Sequence, residues 1–127
     1  MVANAQVTLI IGNHDRAALG PAFDMEYSMN PISLGKLLLS HKPVNSDMLS
    51  TGHLNICGHV HPVVRLQSAI DNLRLPCFYH EHQLQRLTLP SFGSFTGGYE
   101  ISIGKDRTAY ILLEGCMMVL DSPPIEE

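Results

Sequence analysis

Three short segments of this 127-residue chain hold the side chains best suited to chemistry: Gly12-Asn13-His14-Asp15, Ser40-His41-Lys42-Pro43 and Gly58-His59-Val60-His61-Pro62. Imidazole nitrogens suit zinc, iron, nickel and, beside oxygen donors, manganese, and the Asn13 amide offers a hard, neutral oxygen. The glycines ahead of Asn13 and His59 let the backbone turn tightly, so that side chains next to a strand end can point into a shared crevice. In extended backbone His59 and His61, two apart, lie on the same side. In a curved loop they can serve two adjacent ions. Taken singly, each segment also reads as a plain turn: Asn13 and Asp15 can bond their own backbone, and HVHP can simply connect two strands. Lys42 reads as a solvated loop lysine, and His53, His80 and His82 as surface or satisfied core residues.

The elements around these segments give them weight as a set. Val7 to Ile11 (VTLII), Leu34 to Ser40 (LGKLLLS) and His53 to Cys57 (HLNIC) are apolar runs that predict buried strands. Each run stops at a metal-competent segment. Neighbouring strands of this kind would bring Asn13, His41 and His59 to one sheet edge, where ligands of open α/β sheets collect. Residues Ala17 to Phe23 predict one short helical turn, ended by the loop that Pro21 imposes. From Val63 onward the pattern alternates: Val63–Ile70, Leu73–Tyr79, Leu84–Leu89, Tyr99–Ile103 and Thr108–Leu113 are separated by Asp71-Asn72, Glu81-His82-Gln83, Gly97-Gly98 and Gly104-Lys105-Asp106. Those separators are turn chemistry, so the second half predicts antiparallel hairpins. The fold class expected is α/β (α+β), strand-rich, with one domain over 1–120 and an acidic, proline-rich tail over 121–127.

Composition narrows the function classes. Eight Lys and Arg against twelve Asp and Glu give a net charge of −4, which excludes a surface that binds nucleic acid by charge alone. A phosphate-bearing partner must be held locally. Cys57, Cys77 and Cys116 stand far apart with no CxxC pairing, which suits a reducing, cytoplasmic setting and cysteines that pack as small hydrophobes. Cys57, beside the candidate site, is the one with a neighbour of interest. No apolar run approaches the roughly 18 residues that would cross a bilayer, so no membrane partner is expected.

GNHD, then an isolated strand-end histidine, then GHVHP, resembles the third, fourth and fifth motifs of the calcineurin-like metallophosphoesterases. Leu89 to Gly98 (LPSFGSFTGG), with Leu75-Pro76-Cys77-Phe78 before it, further resembles the subgroup described as DNA-ligase-associated phosphoesterases. The matches span about residues 7 to 103. The resemblance implies the C-terminal half of a four-layer αββα sandwich with a two-metal site (Mn, Fe or Zn) at the strand ends. It implies that Asn13, His41 and His59 bind one metal, that His61 binds the other, and that His14 and Asp15 form an acid dyad. The implied activity is hydrolysis of a phosphodiester or phosphomonoester, possible substrates by analogy including nucleic acid.

The family's first two motifs, an Asp-x-His and a Gly-Asp segment, have no counterpart in this sequence, where eleven residues precede Gly12. The remaining donors are neutral, and two divalent ions would bring about +4 with no carboxylate close by to offset it. The expectation is therefore one metal at most, with zinc or nickel favoured over manganese. The chain is expected to be a truncated phosphoesterase, or else an inactive remnant that works through protein contacts. An apolar Val7–Ile11 strand without its neighbours would be an exposed edge, which favours a homodimer.

Overall fold

The structure is a computed structural model that describes residues 8–10, 26–28, 30–67, 69–91 and 97–121. These residues form strands β1 (Thr8–Ile10), β2 (Glu26–Ser28), β3 (Ile32–Leu34), β4 (Leu37–Ser40), β5 (Leu54–Cys57), β6 (Pro62–Gln67), β7 (Asn72–Pro76), β8 (Phe78–Glu81), β9 (Arg86–Thr88), β10 (Tyr99–Glu100), β11 (Arg107–Leu113) and β12 (Cys116–Asp121). The one helical element among them is a 3-10 turn at Ser46–Met48, capped by the Asn45 side chain, which accepts from the Asp47 N–H. No helix of the described residues is long and apolar enough to cross a membrane. The helical turn expected over 17–23 lies outside the described residues, as do Val7, Ile11 and residues 122–127.

Strands β1 and β2 pair in parallel, β10-β6-β7 form a three-stranded sheet, and seven strands join in the order β12-β11-β8-β9-β5-β4-β3. Several sequence-based boundaries are corrected. Leu34 to Ser40 is a hairpin, because Gly35 adopts φ 62° and Leu34 pairs with Leu37 across the turn. That left-handed backbone is freely open to glycine. Leu73 to Tyr79 divides at Cys77: β7 pairs with β6 in the small sheet, whereas β8 pairs with β9 and β11 in the large one. Pro76 has no N–H with which to continue a ladder, and the Cys77 N–H turns to the Pro62 carbonyl at 3.1 Å.

Antiparallel hairpins occur at β6–β7, β8–β9 and β11–β12, but β9 lies parallel to β5 and β10 parallel to β6. Strand β12, not expected from the alternation because CMMVLD is almost wholly apolar, follows a two-residue turn in which Glu114 and Gly115 both have positive φ. Asp121, expected in the tail, is the last residue of β12, and its carboxylate accepts the Thr108 hydroxyl at 2.6 Å.

Because one run of chain feeds both sheets, the core forms between them. Val64, Cys77, Tyr79, Ile101, Ala109 and Ile111 are buried there, with Leu66, Leu75, Ile103 and Leu120 packed against them. Residues paired in register share a sheet face. Ser40, Cys57, Thr88, Tyr79 and Ala109 thus line the inner face of the large sheet. Leu39, Ile56 and Leu87 line the outer face, joined near the β12 edge by Leu112, Met117 and Val119, which are 60%, 60% and 51% exposed. A parallel core with aliphatic residues on its outer side and polar residues inside is built for burial on both faces.

The inner polar residues are satisfied as a set. Asn55, 0% exposed, donates to the Leu38 carbonyl at 2.8 Å and to the Ser40 hydroxyl at 3.0 Å, and accepts the Val44 N–H at 3.1 Å. It thereby ties β5 to β4 and to the loop that leaves β4. Replacing Asn55 with Ala strands buried groups and should destabilise the fold by roughly 2 to 4 kcal/mol. Urea unfolding should show this as a lower midpoint at unchanged slope.

Candidate functional site

Parallel pairing of β4 with β5, in the register Ser40↔Cys57, makes both strands leave the large sheet at the same edge. The residues that follow them meet there. The Gly58 N–H bonds the His41 carbonyl at 2.9 Å, which carries the ladder one step past the strands. Beyond it, His59 Nδ1 and His41 Nε2 lie 3.2 Å apart. Their rings meet edge to face, with centroids 5.1 Å apart and planes at 70°. Nitrogens so placed can share a hydrogen bond between complementary tautomers or converge on one cation.

The loop after Gly58 is tightly wound. Val60 N–H bonds the Gly58 carbonyl at 2.8 Å, and His59 and His61 have φ of 69° and 56°. Two non-glycine residues in left-handed backbone cost on the order of 1 to 2 kcal/mol each, and such residues persist only where their surroundings hold them. Of the two geometries open to His59 and His61, extended or curved, the structure has the curved loop. That loop is held from the far side by the Tyr99 N–H, which bonds the His61 carbonyl at 3.0 Å. Gly98, at φ 111°, passes so close that a Cβ there would sit 2.6 Å from the His61 oxygen and 2.8 Å from Val63 Cγ1.

His41 and His59 are thus brought together, and His61 lies two residues further along the same loop. Asn13, His14 and Asp15 lie outside the described residues. Among the described residues no group of three or more His, Cys, Asp or Glu side chains is arranged to hold a metal ion. Cys57 points inward to Thr88 Oγ1 at 3.6 Å, and burial raises its thiol pKa, as it does that of Cys77, pushed up to about 11. Both behave as packed hydrophobes.

His80 and His82 sit at the end of β8, at the opposite end of the strands from His59, since Glu81 pairs with Arg86 and Arg86 with Asn55. Their ring centroids lie 4.0 Å apart with the planes tilted by 48°, and His82 Nε2 lies 2.8 Å from Thr108 Oγ1. The Thr108 hydroxyl gives its proton to Asp121, so it accepts from His82. Burial, then the neighbouring His82, lowers the His80 pKa.

Two features of the site are not apparent from the strand-end segments. One is Gly98, whose role is a close backbone approach that only three-dimensional structure reveals. The other is a cavity of about 360 Å³ that opens beside the loop and runs from Pro43 and Val60 past Tyr99 to Arg86 and Arg107. Its arginines, Arg86 and Arg107, carry no sequence signal that would single them out.

Over 92% of its length the chain matches the crystal structure of Pseudomonas putida nuclease MPE, with 36% sequence identity and a TM-score of 0.72. The chain spans 55% of that nuclease's length. No family profile and no curated protein matches it. The fold is therefore nuclease-like, strand-rich and mixed in its sheets, and it represents just over half of the nuclease it resembles.

Gly98→Ala should force the β10 segment away from the His61 carbonyl. The expected result is a fall in Tm together with chemical-shift changes at His61 and His59 in ¹H–¹⁵N spectra, whereas Gly52→Ala, strained at φ 85° but with nothing within 4 Å of its Cβ, should lower Tm and leave both histidines in place.

Proposed function

We propose that this chain is part of a metal-dependent phosphoesterase of the calcineurin-like, DNA-ligase-associated kind, with phosphodiesters of nucleic acid as substrate. The observation that carries the reading is the 3.2 Å separation of His59 Nδ1 and His41 Nε2 at the ends of adjacent parallel strands. Two imidazole nitrogens each about 2.0 to 2.1 Å from a zinc ion and this far apart would subtend about 100° at the ion, close to a tetrahedral angle. The pair thus offers two of the donors that a cation would need. Asn13 would supply an oxygen to the same ion and His61 would face a second position. A neutral, nitrogen-rich donor set favours zinc or nickel, and one ion rather than two.

When bound, such an ion lowers the pKa of coordinated water to around 7. The chain's own contribution is the proton for the departing alkoxide. His14 would give it as an imidazolium, a form that the carboxylate of Asp15 would favour. The similarity to a nuclease supports a nucleic-acid substrate, and the net charge of −4 means that the polyanion is gripped at the site and not across a basic face. The aliphatic outer face of the large sheet supports the four-layer sandwich, in which helices would cover it.

The same face supports a second reading. Met117 and Val119 on the edge strand β12, which has no proline or lysine, and Leu112 beside them on β11 are exposed, and they favour an inactive relative that works through protein contacts, including pairing with a second copy.

Calorimetric titration with zinc should give fewer than two equivalents, and His59→Ala should abolish that binding. Wild-type affinity in the variant would take His59 out of the site. In a preparation that hydrolyses a phosphodiester, His14→Ala should slow turnover by roughly 10² to 10⁴ with metal content intact, and unchanged turnover would exclude His14 as the acid.

A further inference from the structure

We infer that the cavity between the two sheets receives a nucleotide adjoining the scissile phosphodiester, its base stacked on Tyr99 and its phosphate held by Arg107. The inference rests on the nuclease reading and names the substrate contact that the histidines do not provide.

Position is the first argument. Val60, which lines the cavity, lies between His59 and His61, and Pro43, at the same wall, lies two residues after His41. A ligand in the cavity therefore abuts the histidine loop. At about 360 Å³ the space falls in the range of pockets that enclose small organic ligands.

The second argument is how Tyr99 is presented. A solitary exposed tyrosine needs no explanation. Tyr99, however, is 65% exposed on backbone fixed from both sides: its N–H is bound to the His61 carbonyl, it pairs in register with Pro62, and Gly98 before it is pressed against His61 and Val63. An aromatic face held rigidly beside a phosphoester site is a platform on which any base can stack.

Charge supplies the third. Two carboxylates line the cavity, and both are engaged: Glu81 lies 3.5 Å from Arg86 Nη1, while Glu100 Oε1 lies 2.9 Å from Arg65 Nη2 and 3.7 Å from Arg74 Nε. Arg107 donates to the Ser102 hydroxyl at 3.0 Å, also bonds the Tyr79 side chain, and has no ion pair among the described residues. It is the cation of this wall left to meet a phosphate, for which its planar fork of donors is suited. In a chain with net charge −4 this is the local grip that a polyanion needs.

The test is fluorescence anisotropy of a fluorescein-labelled oligonucleotide with the folded chain in the presence of zinc, comparing normal strands with strands carrying abasic sites. Tyr99→Ala should weaken binding by about 5- to 150-fold, the range expected for loss of one stacked base, and Tyr99→Phe should stay within about twofold. Abasic strands should bind the wild type more weakly than normal strands but should not be distinguished by Tyr99→Ala. Arg107→Gln should weaken both kinds of strand and reduce the salt slope by about one. Equal affinity of the wild type for normal and abasic strands, or an unaltered affinity in Tyr99→Ala, would overturn the stacking assignment and leave the nuclease reading standing. Failure of the wild type to bind any oligonucleotide while it still binds zinc would overturn both.

Discussion

The site depends on one pairing. Strands β4 and β5 run parallel with Ser40 opposite Cys57, and this register decides that His41 and His59 emerge together. A slip of one residue would reverse the faces of β5. Asn55 would then turn from the inner side, where its amide meets Leu38, Ser40 and Val44, to a face lined by leucines. A fully buried amide with specific partners penalises every other register, because each leaves polar groups dry and unpaired. Specificity of pairing, and so the convergence of two imidazoles, is secured by a side chain that itself does no chemistry.

The loop that follows is shaped by constraint and not by preference. Left-handed backbone at His59 and His61 is unfavourable for side chains with a Cβ, and it is held by bonds at both ends, from Gly58 N–H to His41 and from Tyr99 N–H to His61. The second of these requires β10 to lie parallel to β6 at very short range, which only a glycine at position 98 permits. A residue forty positions downstream in the chain thus fixes the geometry of the histidine loop. The glycine-rich stretch and the histidine segment are two halves of one device.

How much of this was legible in the sequence follows from the range of the forces involved. Apolar runs ending at His41 and Gly58 were readable because burial acts on each strand through its own residues, and their convergence followed once the strands were taken as neighbours. The break of Leu73–Tyr79 at Cys77 was not readable, since β7 and β8 are equally good strands and the division is set by which sheet each one joins. The parallel partners of β9 and β10 were hidden for the same reason: alternation reports that a face is buried and is silent on strand direction. Strand β12 escaped because its apolar residues lie on both faces. Gly98 and the cavity were invisible because a close approach between distant segments leaves no periodic trace.

The uneven treatment of the large sheet's two faces bears on what kind of molecule this is. Its inner side holds Asn55, Thr88 and Ser40 in satisfied hydrogen bonds around the approach to the site, while its outer side offers mainly apolar side chains, among them Leu54, Leu87, Phe78, Tyr110 and Met117. A sheet meant to face water on one side alternates in the opposite sense, with polar residues outward. On hydrophobic grounds each of these half-exposed side chains would gain roughly 1 to 2 kcal/mol by full burial, so that a handful of them is comparable to the lower end of the ordinary net stability of a domain. The outer side is thus composed as a face for burial, while the inner side carries both the apolar core and the polar residues that tie β4 to β5.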